Sequence, residues 1–353
     1  MSLPALRTGI PILCPACSTR SLSIVADVAQ CECGWRREVR DGLLDLSAEL
    51  SQNEQTQRET YDQQQLGALQ TSDPFRSFVS PAGLRLTRML RRLHLGEGDC
   101  FLEVACAAGP LLDAIASNFG ARGLGIDISP ASVRQQMLRR GDRAHFDAVV
   151  APADSLPLPD ETVNAVTAFD IVEHLEHPER LYMEAARVLK PGGTLLVRCP
   201  VTDFGLSLDW WQNLLTPRRW KQRMREAGHF YENFRSKKQH RAMARAAGLR
   251  VVYSTGYDVF WDNFIEYMLM PMLAHLRPRQ ESTGQDGPAT STNGIELRVP
   301  NSKMHKGLRA WARIADLCLL PERVLGRLGF GASMWLLAEK PATSADRPRA
   351  SGP

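Results

Sequence analysis

Four cysteines near the N-terminus have the spacing of a metal site. Cys14 and Cys17 form one close pair, Cys31 and Cys33 form another, and thirteen residues separate the pairs. Four thiolates can bind Zn²⁺ tetrahedrally, and the metal then supplies folding free energy that so short a segment cannot gain from apolar burial. The second pair, Cys-x-Cys, is one residue shorter than the usual knuckle, so a metal-free ribbon is the alternative. We predict a small zinc ribbon over residues 10–46.

A second group of residues has the arrangement of a nucleotide site. The apolar segment CFLEV at 100–104 contains Glu103, is followed by the turn ACAAG and a helix start, and the next buried segment ends in Asp127. In doubly wound sheets a small-residue turn lets the backbone approach a ligand, and an acidic residue ending the second strand accepts from ribose hydroxyls. We predict a nucleotide-type ligand beside Asp127, with helix capping or solvation in a loop as its alternative role.

The segment FDIVEHLEHPE at 169–179 carries the groups that could assist a reaction. Asp170, Glu173 and His174 follow a predicted strand at the carboxyl edge of the sheet. His174 is the best candidate for a general base, because imidazole titrates near neutral pH.

Short β-rich segments alternate with helical ones and predict the scaffold that positions these residues. The predicted strands are 100–104, 124–127, 146–150, 164–170, 194–199, 249–254 and 333–340. This alternation predicts an α/β fold, a Rossmann-like doubly wound sheet of seven strands, parallel and covered by helices on both faces.

Composition changes along the chain predict its domain organisation. After the ribbon, the polar, Gln-rich stretch indicates a linker or an exposed helix, and an apolar helical insertion precedes the last strand. The predicted boundaries are 47–73 for the linker, 74–256 for the core, 257–331 for the insertion, 332–340 for the last core strand and 341–353 for a disordered tail.

Four further segments, in order, resemble class I S-adenosylmethionine (SAM)-dependent methyltransferases, the group that includes ubiquinone and menaquinone methyltransferases. They are GIDIS at 125–129, APADSLPLPDETVNAV at 151–166, FDIVEHLEHPE at 169–179 and EAARVLKPGGTLLVRCP at 184–200. The resemblance covers residues 75–256 and returns at 333–340. It implies a SAM cofactor and a methyl transfer by in-line displacement.

The resemblance also implies a role for individual residues. It places Glu103, Ala105, Ala107 and Gly109 at the methionine end of SAM, Asp127 at the ribose, Asp154, Ser155 and Leu156 at the adenine, and Phe169 or Asp170 at the transferable methyl, and it makes Ile128 a further cofactor-binding residue. The family favours glycine where this chain has Ala105 and Ala107. Alanine tolerates a positive φ poorly, so these two residues bear on the activity of the site more than on the fold.

The spacing Asp170-x-x-Glu173-His174 is also similar to the metal-binding pattern of some metal-dependent O-methyltransferases. A Mg²⁺ ion there would lower the pKa of an acceptor hydroxyl. The same spacing occurs in metal-free relatives, where it caps and packs the loop.

The net charge and the close cysteine pairs of the chain indicate its class of partner and its cellular compartment. The formal net charge of +4 is too small to indicate a nucleic-acid binder by itself, and no secretory signal is visible. We therefore expect a cytoplasmic protein, in which close cysteine pairs bind metal more often than they form disulfides.

The acceptor has three interpretations. The leading one is the hydroxyl or amine of a small molecule, a secondary metabolite, quinone or glycolipid precursor, because FWDNFIEYMLMPMLAHL in the insertion could cover a lipophilic pocket or contact a membrane surface. The second is RNA, suggested by the ribbon and by the basic run TPRRWKQRMREAGHFYENFRSKKQHR. The third is a non-catalytic binding protein with the methyltransferase fold. The sequence leaves the oligomeric state open.

Overall fold

The structure is a computed structural model, which describes residues 6–25, 27–40, 42–47, 50–68, 81–108, 111–140, 145–203, 205, 207–226, 233–259, 317 and 320–342. Its main feature is a seven-stranded sheet in the order β6-β5-β4-β7-β8-β10-β9. The strands are β4 (Cys100–Val104), β5 (Arg122–Asp127), β6 (Phe146–Val150), β7 (Val163–Phe169), β8 (Leu189–Pro200), β9 (Arg250–Tyr257) and β10 (Ser333–Glu339). This is the predicted Rossmann-like α/β fold.

The sheet differs from the expected parallel one at its last strand. Strands β4 to β8 pair in parallel, whereas β10 lies between β8 and β9 and runs antiparallel to both. Ser333 pairs with Tyr257, so the chain re-enters the sheet at the edge where β9 left it. A strand that starts at that edge must run back along its neighbour, and the pairing is antiparallel.

Helices cover the sheet on both faces. They are α1 (Gln52–Ala68), α2 (Pro81–Leu90), α3 (Leu111–Phe119), α4 (Pro130–Arg140), α5 (Pro178–Val188), α6 (Leu208–Leu215), α7 (Pro217–Glu226), α8 (Lys237–Ala246) and α9 (Leu320–Arg327). Strands β4 and β6 are buried along their whole length, as a strand covered on both faces must be. No helix of the described residues is long and apolar enough to cross a bilayer.

The N-terminal segment forms a three-stranded antiparallel sheet, β1 (Ser23–Val25), β2 (Val28–Gln30) and β3 (Arg36–Glu38). The segment after it continues the large sheet, because Val150 donates to the carbonyl of Leu44 and Leu46 donates to the carbonyl of Val150. The ribbon segment therefore covers the edge strand β6, whose backbone groups would otherwise be unpaired.

Helix α1 occupies the stretch predicted as a linker or exposed helix. Its Asp62 accepts hydrogen bonds from the Ser129 hydroxyl and from the Ala131 N–H at the start of α4. Its Arg58 binds the Asp45 carboxylate at 2.9 Å, on the ribbon side. The helix thus joins the ribbon to the core. Most of the predicted insertion lies outside the described residues; within it, Leu320–Arg327 is the helix α9.

Candidate functional site

The turn after β4 holds two alanines in a conformation that usually requires glycine. Ala105 has a φ of 56° and Ala107 a φ of 44°. A positive φ destabilises the backbone of a non-glycine residue by roughly 1–2 kcal/mol. The turn is held by its neighbours: Ala107 N–H donates to Asp127 Oδ2 at 2.9 Å, and Gln136 Nε2 donates to the carbonyls of Cys106 and Ala107. Alanine tolerates a positive φ poorly, as expected, and here hydrogen bonds from neighbouring residues stabilise the conformation that glycine would otherwise adopt.

A cavity of about 320 Å³ opens beside this turn, at the carboxyl ends of β4, β5 and β7. This volume falls in the roughly 300–1,000 Å³ range of small-molecule sites. We call it the cofactor cavity. Seven of the predicted site residues line it: Glu103, Ala105, Ala107, Asp127, Ile128, Phe169 and Asp170. The predicted Gly109 lies outside the described residues.

Two buried carboxyl groups give the cofactor cavity its electrostatics. Burial, with the nearby Asp127, holds the pKa of Glu103 well above its usual range, and Glu103 Oε2 has no hydrogen-bond partner. Burial also raises the pKa of Asp127 to about 6, although the N–H groups of Ser129 and Ala107 partly oppose this shift. A ligand that donates hydrogen bonds or carries positive charge would stabilise the ionised form of both groups.

An ion pair also lines the cofactor cavity. Arg198 of β8 binds the carboxylate of Asp170, whose own φ is 52°. The guanidinium also lies over the rings of Phe169 and Trp335, at 5.4 and 5.8 Å from their centroids. Strands β7 and β8 present these groups side by side, since Phe169 and Arg198 are register partners.

Helix α1 contributes residues to the cavity that were not predicted from the sequence as part of the site. Tyr61 lines the cofactor cavity, and its hydroxyl lies 3.1 Å from Nε2 of His174. Gln57 of the same helix also lines the cavity and donates to the His174 carbonyl at 2.5 Å. Burial raises the pKa of Tyr61 to about 12, so the phenol is protonated at neutral pH. His174 is itself buried and is not among the described residues that line the cavity, and its hydrogen bond with Tyr61 connects it to the cavity.

Glu173 is buried, and neither of its carboxyl oxygens has a hydrogen-bond partner. Burial and the nearby Asp170 hold its pKa well above the usual range. It does not line the cofactor cavity. Glu173 therefore lies behind the site and does not face a ligand in the cavity.

The predicted adenine residues line a neighbouring cavity. Asp154, Ser155 and Leu156 border a space of about 810 Å³ between the ribbon and the core. Glu54 of α1 and Ala151 line both cavities, so the two adjoin. The Leu156 N–H already donates to Glu184 at 2.9 Å. Burial, with the nearby Glu54, raises the pKa of Asp154.

The four ribbon cysteines converge. Their sulfur atoms all lie within 4.8 Å of one another, with Cys14 and Cys33 at 3.7 Å and Cys17 and Cys31 at 3.8 Å. Ligands of a tetrahedral ion with Zn–S bonds of about 2.3 Å would be about 3.8 Å apart. Among the described residues this is the one group of His, Cys, Asp and Glu that converges in this way. Asp170, Glu173 and His174 do not form such a group, and the Mg²⁺ site stays a prediction.

Comparison with known proteins identifies the segment that forms the cofactor cavity. Residues 102–197 match a methyltransferase domain. A probable S-adenosylmethionine-dependent methyltransferase of Mycolicibacterium smegmatis is 36% identical over 112 residues, which are 31% of this chain and 41% of that protein. The 27-O-demethylrifamycin SV methyltransferase of Amycolatopsis mediterranei is 32% identical over 48% of this chain and 61% of its own length.

The matched methyltransferase domain covers the strands and turns that carry the site. A ubiquinone/menaquinone biosynthesis C-methyltransferase of Neisseria meningitidis is 34% identical over 30% of this chain and 44% of its own length. The chain thus spans about half the length of the curated relatives. In fold, phosphoethanolamine N-methyltransferase 2 of Haemonchus contortus, solved with S-adenosyl-L-methionine, is similar with a TM-score of 0.53 at 15% identity, over 83% of this chain and 60% of that one.

Proposed function

We propose that this chain is a SAM-dependent methyltransferase that methylates a hydroxyl or amine of a small molecule. The observation that carries the proposal is the cofactor cavity, where the strained turn, Glu103 and Asp127 meet beside the strand ends that match a methyltransferase domain. The relatives of named activity support a small molecule, since their names include a demethylrifamycin and ubiquinone/menaquinone biosynthesis.

The residues of the cofactor cavity fit SAM. Glu103 offers a buried carboxyl oxygen without a partner, which suits the ammonium group of the methionine end. Asp127 uses one lone pair of each oxygen for the N–H groups of Ala107 and Ser129, and its remaining lone pairs can accept from ribose hydroxyls. When bound, SAM supplies an electrophilic methyl group on its sulfonium.

The chain contributes orientation and proton transfer. Phe169 and Asp170 line the end of the cavity where an acceptor would approach, and positioning there supplies much of the rate. For a hydroxyl acceptor, Tyr61 Oη accepts the acceptor proton as its own proton passes to Nε2 of His174, with which it already shares a hydrogen bond. An amine acceptor that is already neutral needs no base.

The cysteine cluster would hold a structural Zn²⁺. Its sulfur separations fit a tetrahedral ion, and four protein ligands leave no open position for a substrate. The metal would stabilise the ribbon, which covers the edge of the large sheet and binds helix α1. It would therefore act on the site through structure rather than chemistry.

Methyl transfer from labelled SAM tests the proposal. The protein is incubated with total RNA in one reaction and with an organic extract of the host in another. Label in the extract alone is the expected result. Label in RNA alone would overturn the small-molecule acceptor, and label in neither, with SAM bound, would leave the third interpretation, a non-catalytic binding protein.

A further inference from the structure

Helices α6 and α7 form a hairpin that is held together by one buried tryptophan and one carboxylate. Trp220 of α7 is 2% exposed, and its Nε1 donates to Asp209 Oδ1 of α6 at 2.9 Å. Arg223 of α7 donates to the same oxygen at 3.2 Å. These contacts fix the two helices relative to each other, so their outer residues form one surface. We call α6 and α7 together the hairpin.

The outer face of α6 is apolar. Trp211, Leu214 and Leu215 stand at positions i, i+3 and i+4, so they share one face of the helix. Their exposed fractions are 42%, 59% and 72%. A single exposed apolar side chain is ordinary on a protein surface, whereas several adjacent ones are typical of an interaction surface.

The residues that follow on α7 are basic. Arg218, Arg219 and Lys221 are exposed, and in the part of the chain that the structure describes none of the three makes a hydrogen bond or an ion pair. The sequence of the two helices contains five basic residues and two acidic ones, of which Asp209 is already bonded to Arg223. The three exposed cations are therefore available to an anionic partner.

An apolar helix face beside available cations is the combination that binds an anionic lipid surface. Each Lys or Arg near acidic headgroups strengthens such binding by about fivefold, and Trp and Leu enter the boundary between headgroups and acyl chains. RNA would bind the same cations and could stack a base on Trp211, but it offers no apolar partner for the two leucines. The apolar face thus favours lipid over RNA.

We propose that the hairpin binds the surface of a membrane that contains anionic phospholipids. This contact does not depend on the proposed methyl transfer. It starts from the same edge of the sheet as the cofactor cavity, because β8 runs parallel to β7 and the chain passes from the end of β8 to the hairpin. Arg198, near that end of β8, lines the cofactor cavity.

Sedimentation with lipid vesicles tests the proposal on the full chain. One set of vesicles contains phosphatidylcholine alone, and the other also contains phosphatidylserine. We expect binding only to the second set, weakened at least about tenfold by Leu214→Ala, Leu215→Ala and also by Arg218→Gln, Arg219→Gln. Absence of vesicle binding by the wild type, or binding that neither variant weakens, would overturn the proposal.

Two control variants make the same kinds of change elsewhere on the surface. Leu138→Ala, Met183→Ala removes exposed apolar side chains from α4 and α5, and Lys238→Gln, Arg245→Gln removes two exposed charges from α8. We expect both controls to bind the vesicles as the wild type does. Controls that weaken binding as much as the hairpin variants would show that overall hydrophobicity or net charge drives it, which would overturn the proposal.

The same variants are titrated with single-stranded RNA and with SAM. RNA binding that requires Arg218 and Arg219, without vesicle binding, would assign the hairpin to RNA and overturn the proposal. Calorimetry with SAM should give the wild-type Kd for every variant, since none of the substituted residues lines the cofactor cavity. Failure of the hairpin and failure of the methyltransferase are therefore distinguishable.

Discussion

Tyr61 is the residue through which the buried His174 can act on an acceptor. Its phenol lines the cofactor cavity and its hydroxyl contacts the imidazole 113 residues further along the chain. The neutral phenol cannot act as a base alone, so the imidazole must receive the proton. Removing the hydroxyl should therefore interrupt proton transfer without changing how SAM binds.

We predict that Tyr61→Phe lowers kcat for a hydroxyl acceptor by about a hundredfold and leaves the Kd for SAM unchanged. Steady-state kinetics and calorimetry measure the two quantities. Tyr182→Phe is the matched control, because that hydroxyl bonds His240 in the interior and does not line the cavity. An unchanged kcat in Tyr61→Phe would show that the phenol takes no part in the reaction.

The positive φ of the alanines in the turn after β4 leads to a prediction for the free energy of unfolding. Relief of the positive φ in Ala107→Gly gains roughly 1–2 kcal/mol, against a cost of roughly 0.5–1 kcal/mol for the freedom of glycine in the unfolded chain. We expect a net rise of about 0.5–1 kcal/mol in the free energy of unfolding, measured by urea titration. In the control Ala242→Gly, on the exposed side of α8, the same change should lower it by about 1 kcal/mol. A loss of stability in Ala107→Gly would contradict the strain.

At the scale of elements, β5 and the turn after β4 are in close contact. A Cβ on Gly125 would lie 2.7 Å from Leu112 Cδ2 and 2.8 Å from Cys106 Sγ. Gly125 therefore lets the strand approach both the turn and helix α3. This contact places Asp127, two residues further on, within reach of the Ala107 N–H.

We predict that Gly125→Ala lowers the free energy of unfolding by about 1–3 kcal/mol and weakens SAM binding, because the turn must move. Gly96→Ala is the control, since its added Cβ would meet the Asp99 carboxylate at an ordinary 3.8 Å. Thermal unfolding and calorimetry with SAM report both effects. Equal behaviour of the two variants would mean that the close packing is not required.

Strands were predictable from the sequence, but helix α1 was not predictable as part of the site. The strand CFLEV is a continuous apolar run before a small-residue turn, and this local pattern determines both its burial and its ligand edge. The sequence of α1 is polar and Gln-rich, with no apolar face that would indicate its packing. Its role depends on contacts of Tyr61 and Asp62 with residues far along the chain, and no local signal reports those contacts. The cysteine cluster was predictable because its spacing is local.

At the scale of the whole molecule, hydrogen bonds and an ion pair connect the ribbon to helix α1, which lines the cofactor cavity. Arg37 of β3 donates to the carbonyls of Asp45 and Ser47, and Arg58 of α1 binds the same two residues through their side chains. Helix α1 in turn supplies Tyr61 to the cavity. Unfolding of the ribbon should therefore change the position of α1 and, with it, the cavity.

We predict that freshly purified protein contains close to one zinc per chain, and that its removal by a chelator weakens SAM binding by roughly three- to tenfold. Metal analysis and calorimetry measure these quantities. Cys17→Ser should reproduce the effect, and Cys100→Ala, a buried cysteine outside the cluster, should not. Zinc-free protein with full SAM affinity would contradict the connection.

Calorimetric titration of SAM as a function of pH decides whether the cavity beyond β4 and β5 binds SAM through Asp127. Because the pKa of Asp127 is raised to about 6 and ribose hydroxyls donate to the ionised carboxylate, affinity should increase from about pH 5 to about pH 8. Asp127→Asn should bind at least about tenfold more weakly at the higher pH and lose the part of this dependence that lies near pH 6, whereas Asp209→Asn on α6 should behave as the wild type. Absence of binding at millimolar SAM, or an affinity that neither Asp127→Asn nor pH alters, would show that Asp127 does not hold SAM in this cavity.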